Sequence, residues 1–263
     1  MATERELRKD ICEIGRLMAE KDLVVATDGN ISVKLGPNRF LATPSGLAKG
    51  RLTPDDLIVV DAQGSKVSGR RKPTSEIKMH MIAYEQRPDV GAAIHAHPPT
   101  ATAFTIAGVT LAQCVIPEVV FTLGVIPTSD YATPGTGETA EVVRDLVSKC
   151  DAMLLDRHGT LTIGPDIWDA YKKLEKVEHC AQVTMMARLL GNVKTLDPKQ
   201  VGELKKVREM FNLPGKAIGC SECGACGREF SAESEPEETG PAQDELVARI
   251  TAEVIKQLNT VSR

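Results

Sequence analysis

No stretch of the 263-residue chain stays apolar for anything near the roughly 18 residues that a bilayer crossing needs, so no transmembrane helix is expected. The first residues, Met1-Ala2-Thr3-Glu4-Arg5-Glu6, carry charge and lack the apolar centre of a signal peptide. No Lys/Arg cluster dominates any segment, and the net charge is −4 with a pI near 5.8, which argues against an electrostatic nucleic-acid binder. A disulfide framework is equally unexpected: seven cysteines, an odd number without a secretion signal, read as thiols. These absences point to a soluble, cytoplasmic protein. With 42% hydrophobic residues the chain can bury one substantial core, so one globular domain with an appendage is expected rather than two full domains.

What is present alternates between helix and strand signals. Thr3 and Glu6 have the spacing of a capping box, followed by Leu7, Ile11, Ile14 and Met18 at helical intervals. Thr27-Asp28-Gly29-Asn30 breaks that pattern as a turn. Residues 31–34 and 39–42 read as a hairpin reversed by Gly36-Pro37-Asn38. Leu57-Ile58-Val59-Val60 reads as a buried strand. Thr74 or Ser75 can cap a helix running to about Arg87, with the stripe Ile77, Met81 and Tyr84. Another strand is expected over 92–97, a helix over 138–149 capped by Thr136, a strand over 152–155, and helices over 166–190 and 198–211. Hairpins among alternating elements predict an α/β fold whose sheet is mixed or mainly antiparallel, with helices on both faces.

After Asn212 the character changes. Residues 212–241 are small, cysteine-containing and then acidic, which reads as a flexible linker after a domain of residues 1–211. Cys220, Cys223 and Cys226 have CxxCxxC spacing, one thiolate short of the usual closed zinc or iron–sulfur set. Residues 242–263 return to a helical pattern, with Val247, Ile250, Val254, Leu258 and Val261 on one face. A single short helix cannot bury that stripe by itself, so it is expected to dock on something.

Histidine is scarce, with five in the chain, and that makes its placement informative. His95 and His97 stand two apart in Ile94-His95-Ala96-His97-Pro98, and side chains at i and i+2 of a strand share a face. His158, in Asp156-Arg157-His158-Gly159, follows a buried strand and can turn into the same space. Three imidazoles with open positions make the ligand pattern of a catalytic zinc, although a histidine such as His158, taken alone, is more often an ordinary loop residue. His80 and His179 fall within helices and read as packing or surface residues. Glu76 follows Pro73-Thr74-Ser75 at a helix start, where a carboxylate either complements the helix dipole or serves as an acid/base beside a metal. Gly29-Asn30, Ser45-Gly46 and Thr74-Ser75 are small, donor-rich loops suited to a phosphate, though each alone also reads as a turn.

Taken in order, Gly29-Asn30-Ile31-Ser32, Thr43-Pro44-Ser45-Gly46, Lys72-Pro73-Thr74-Ser75-Glu76, His95-Ala96-His97-Pro98, Tyr131-Ala132-Thr133-Pro134-Gly135-Thr136 and Arg157-His158-Gly159 resemble the class II aldolase/adducin family, most closely its fuculose-1-phosphate aldolase branch. The resemblance spans about residues 4–211. It implies a three-layer α/β/α fold with a mainly antiparallel or mixed sheet, a homotetramer with sites between subunits, and a sugar-phosphate substrate. It further implies one zinc ion per subunit on His95, His97 and His158, Glu76 as acid/base and possible ligand of the metal-free site, and a phosphate held by Gly29, Asn30, Ser45, Gly46, Thr74 and Ser75. Thr74-Ser75 stands where the branch carries Ser-Ser. The branch also draws a proton-donor tyrosine from the neighbouring subunit near residues 116–120, where this chain has Glu118 and no tyrosine; Glu118 and Tyr131 are the candidates for that role.

The implied reaction is reversible cleavage of a 6-deoxyketose 1-phosphate, L-fuculose-1-phosphate or L-rhamnulose-1-phosphate, to dihydroxyacetone phosphate and L-lactaldehyde. Ribulose-phosphate 4-epimerases and methylthioribulose-1-phosphate dehydratases share the histidines and phosphate loops and remain open as alternatives. An adducin-like scaffold without chemistry is the reading of another class, and the three histidines with Glu76 argue against it. Residues 242–263 resemble the encapsulation peptides that tether enzymes to the shell or core proteins of bacterial microcompartments, a setting that would confine a reactive aldehyde.

Overall fold

The computed structural model describes residues 2–217 and Gly219. The cysteines at 220, 223 and 226, most of the expected linker and the expected tail helix lie outside the described residues. Helix α1 (Glu4–Glu20) begins with the capping box that Thr3 and Glu6 predict, and Ile11, Ile14 and Met18 are fully buried. Strands β1 (Asn30–Gly36) and β2 (Arg39–Ala42) form the expected hairpin, with Asn38 at φ 54° in the turn. β3 (Ile58–Val60) and β4 (Lys66–Ser68) extend the sheet to one edge. Helix α2 (Ile77–Gln86) and strand β5 (Ala92–Ala96) follow, then the short helices α3 (Pro99–Ile106) and α4 (Pro117–Thr122). Helix α5 (Glu138–Val147), strands β6 (Ala152–Leu155) and β7 (Gly159–Gly164), and helices α6 (Ile167–Leu190) and α7 (Pro198–Met210) complete the order.

The seven strands form one sheet in the order β4-β3-β2-β1-β5-β7-β6, and every pairing among them is antiparallel. Strand alternation divides β5 between two cores. Ala92, Ile94 and Ala96 face α1 and α6, packing with Ile31, Val33 and Leu174. Ala93 faces the opposite side, where α2 and α5 pack on Phe40, Val60, Leu161 and Ile163. Helices therefore cover both faces, giving the expected α/β/α layering. Each fully buried aliphatic side chain contributes roughly 1.5–3 kcal/mol. With all five of its residues buried, β5 is a rigid mount for whatever it carries.

Some expectations shift. Neither Thr74 nor Ser75 is the first residue before α2: Glu76 takes that place, and its side chain makes no capping bond. Gly137 precedes α5, while the Thr136 hydroxyl still accepts the Glu138 N–H at 3.2 Å. Strands β4 and β7 and helices α3 and α4 have no counterpart in the sequence reading. Cys12 and Cys180 are free thiols, as expected.

His80 proves to be a packing residue and His179 an exposed one. The His80 ring is fully buried, and its Nδ1 lies 2.7 Å from the Ser32 hydroxyl, which in turn meets the Tyr84 hydroxyl at 2.8 Å. Burial pulls the His80 imidazole down to about 4, so the ring stays neutral at neutral pH.

Candidate metal and substrate site

The antiparallel register sets the site. Asn30 of β1 lies opposite His95 of β5, and His95 lies opposite Leu161 of β7. Asn30 and His95 therefore project to the same face, the one covered by α2. His97 follows directly after β5. The tight β6–β7 hairpin, with Arg157 at φ 54°, delivers His158 from the other side. Gly159 allows this approach: a Cβ there would stand 2.2 Å from the Ala96 carbonyl oxygen and 2.9 Å from the His97 ring. Ring centroids of the three histidines are 4.7–4.9 Å apart, and one ligand atom from each fits within a span of 4.8 Å.

Their protons are arranged by neighbours. His95 Nδ1 lies 2.8 Å from the Thr160 carbonyl oxygen, an acceptor, so Nδ1 carries the proton and Nε2 presents a lone pair. His97 Nε2 approaches that atom to 2.9 Å, and its Nδ1 faces Asp28 Oδ2 at 3.5 Å. A proton on His97 Nδ1 would leave a second lone pair aimed into the same space. Burial, reinforced by mutual repulsion within the cluster, pulls His97 below its ordinary value and His95 down to about 3, so both are neutral donors at neutral pH.

Glu76 closes the cluster. Its Oε2 stands 3.3 Å from His95 Nε2 and accepts a 2.9 Å hydrogen bond from Asn30 Nδ2. Its Oε1 lies 3.1 Å from His158 Nε2, yet that approach is not aligned as a hydrogen bond, and Oε1 is a buried oxygen without a donor. Burial alone would raise this carboxyl, but His158, His95 and the Asn30 amide outweigh it and hold the group well below the usual carboxylate range. Three imidazoles and an orphaned carboxylate oxygen are the donor set that a divalent cation satisfies. These four residues fit a metal ion.

The three small loops converge beside them. Asn30 Nδ2 lies 3.4 Å from the Thr74 hydroxyl, Ser45 N–H donates to the Lys72 carbonyl at 3.0 Å, and Pro44 pairs with Pro73 across an isolated bridge. Gly29, at φ 73°, packs so closely that a Cβ would reach the His95 carbonyl oxygen at 2.8 Å. Gly29 and Asn30 are buried while Ser45, Gly46 and Ser75 stay exposed. Gly135 borders the same loops, since a Cβ on it would lie 3.5 Å from the Ser75 hydroxyl.

The two proton-donor candidates are placed elsewhere. Glu118 is exposed in the first turn of α4, where its charge acts on Lys176, and Tyr131 stands 57% exposed. Among the described residues, neither is a partner of Glu76 or the histidines. Sequence reasoning did not single out Asp28 or the Thr160 carbonyl. A backbone acceptor leaves no residue signature, whereas Asp28, adjacent to Gly29-Asn30, was within reach.

Comparison with known proteins bears on the whole arrangement. Residues 9–185 match the family described as Class II Aldolase and Adducin N-terminal domain. An L-fuculose phosphate aldolase of Methanococcus maripaludis is 35% identical over 185 residues, covering 70% of this chain and 98% of that protein. A 5-deoxy-D-ribulose 1-phosphate aldolase of Bacillus thuringiensis is 30% identical over 78% of this chain and 96% of its own length. A 3-oxo-tetronate 4-phosphate decarboxylase of Cupriavidus necator is also 30% identical, over 80% of this chain and 98% of that one. Among solved structures, an L-fuculose 1-phosphate aldolase superposes with a TM-score of 0.73 at 29% identity, covering 80% of this chain and 98% of that chain.

Proposed function

Since the chain belongs to the class II aldolase and adducin N-terminal domain family and is an enzyme of its aldolase type, we propose that it reversibly cleaves a 6-deoxyketose 1-phosphate to dihydroxyacetone phosphate and L-lactaldehyde. L-Fuculose-1-phosphate and L-rhamnulose-1-phosphate are the substrates proposed. The observation that carries this reading is the half-buried Glu76 carboxylate set against His95 and His158 at one edge of the three small loops. Held by His95, His97 and His158, one zinc ion per subunit would supply Lewis-acid stabilisation of the enediolate charge that C–C cleavage leaves.

The remaining work belongs to the chain's own groups. Gly29, Asn30, Ser45, Gly46, Thr74 and Ser75 bind the phosphate, remote from the bond that breaks, so binding energy is converted into orientation. Asn30 also donates to Glu76 Oε2 and so fixes which oxygen is free. Glu76, kept ionised by its neighbours, moves the proton at the carbon of the dihydroxyacetone phosphate fragment. The second proton transfer, at the aldehyde oxygen, is assigned to Tyr131 or Glu118. Both are exposed, which suits a homotetramer whose sites are completed by a neighbouring subunit. Relatives named for a 5-deoxyribulose phosphate and for a tetronate phosphate are also 30% identical to this chain, so the assay that tests this reading offers the two 6-deoxyketose phosphates directly.

The proposal extends to residues 242–263 as a tether to microcompartment shell or core proteins, supported by their apolar stripe. Removing residues 241–263 is expected to leave turnover unchanged and to release the enzyme from purified compartments. Undiminished co-purification would refute the tether.

A further inference from the structure

Lys49 is among the largest fully buried side chains of the described residues, and among those residues its ammonium forms no salt bridge. It sits in a short 3-10 turn, Lys49–Arg51, and its ammonium donates to two backbone carbonyls, Thr27 at 2.7 Å and Leu47 at 2.8 Å. Those carbonyls belong to two different loops of the site. Thr27 opens the turn that leads to Gly29-Asn30, and Leu47 follows Ser45-Gly46 directly. The other sides of the triangle are already closed, by Asn30 with Thr74 and by Ser45 with Lys72. Lys49 closes the third.

The loops themselves offer only neutral donors, namely amide, hydroxyl and backbone N–H groups. A buried ammonium behind them is the cation that a phosphate dianion would favour, at a depth where solvent screens it weakly. Burial pulls the ammonium down to about 8, against the opposing charges of Asp28 and Glu76. Burying a lysine costs stability unless its hydrogen bonds are recovered, so a purely structural latch would be met as well by a neutral side chain.

We propose that Lys49 is the positioning residue of the phosphate cradle: it holds the Gly29-Asn30 and Ser45-Gly46 loops in register and gives their neutral donors a positive background. The inference rests on the proposed function, because it takes these loops as the phosphate site. The fixed charge acts on binding of the anion, not on proton transfer at Glu76.

The test uses the full-length, zinc-loaded protein titrated with inorganic phosphate alone, for wild type, Lys49→Met and Lys49→Arg. Metal content and thermal unfolding serve as controls on the fold. Loss of a charge-assisted contact predicts about a 10- to 100-fold weaker phosphate dissociation constant in Lys49→Met, with Lys49→Arg within about 5-fold of wild type. In turnover assays the same loss is expected in KM, with kcat changed far less. Phosphate binding by Lys49→Met equal to wild type overturns the assignment. So does equal weakening in Met and Arg variants with metal content lowered alongside, which is the signature of a merely structural lysine. Wild-type protein that fails to bind phosphate would instead remove the loop reading on which the inference stands.

Discussion

Replacing His95 with alanine is expected to remove metal and turnover together. His95 is fully buried, its tautomer is fixed by the Thr160 carbonyl, and its Nε2 lies between His97 Nε2 and Glu76 Oε2. Substituting a residue that merely orients a metal ligand already costs about 10- to 100-fold in affinity, so loss of the ligand itself should exceed that range. Because a buried ring removed from the sheet also leaves a cavity, His158→Ala is the companion variant. His158 sits in the β6–β7 turn rather than in the core, and its loss should strip the metal with less effect on folding. Metal analysis beside an activity assay reads both results. Retained activity in metal-free His95→Ala protein would sink the metal assignment.

Glu76→Gln is expected to separate binding from chemistry. Glutamine keeps the size of the side chain and an oxygen to accept from Asn30 Nδ2, and it leaves all three histidines in place. Metal content should therefore stay near wild type, and KM should move only a few-fold. What disappears is the proton acceptor, and loss of a positioned acid/base lowers kcat by roughly 100- to 10,000-fold. A Glu76→Gln protein with near wild-type kcat would remove Glu76 from the chemistry. In the same assay, Tyr131→Phe and Glu118→Gln decide the second proton donor, since only the residue that serves should lower kcat without lowering metal content.

Much of the site was legible because it is local in sequence. A capping box at Thr3, a hairpin at Gly36-Pro37-Asn38 and an alternating His95/His97 pair are each specified by neighbours within a few residues. The loops could be recognised for the same reason. Strand β7 was not recognised, although Gly159-Thr160-Leu161-Thr162-Ile163-Gly164 alternates polar and apolar residues. Its threonines are buried after all, their hydroxyls donating to the Ala96 and Ala170 carbonyls at 3.4 and 3.0 Å. Helices α3 and α4 leave little sequence signal because they are short and begin with proline.

The burial of Lys49 is even less legible in the sequence. Nothing in Ala48-Lys49-Gly50-Arg51 predicts that one cation is buried while the other is exposed. Its role comes from two carbonyls, at Thr27 and Leu47, that the fold brings under it. Likewise Thr74 and Ser75 looked like caps because the sequence shows their hydroxyls but not that Glu76 would occupy the cap position and turn its carboxylate to the histidines. In both cases the deciding partners are distant in sequence.

The most direct test of the central claim is release of dihydroxyacetone phosphate from L-fuculose-1-phosphate and from L-rhamnulose-1-phosphate, with and without a chelator. The account predicts release from at least one of the two, abolished by the chelator and restored by added zinc. Absence of release from both, or release that a chelator leaves untouched, would contradict it.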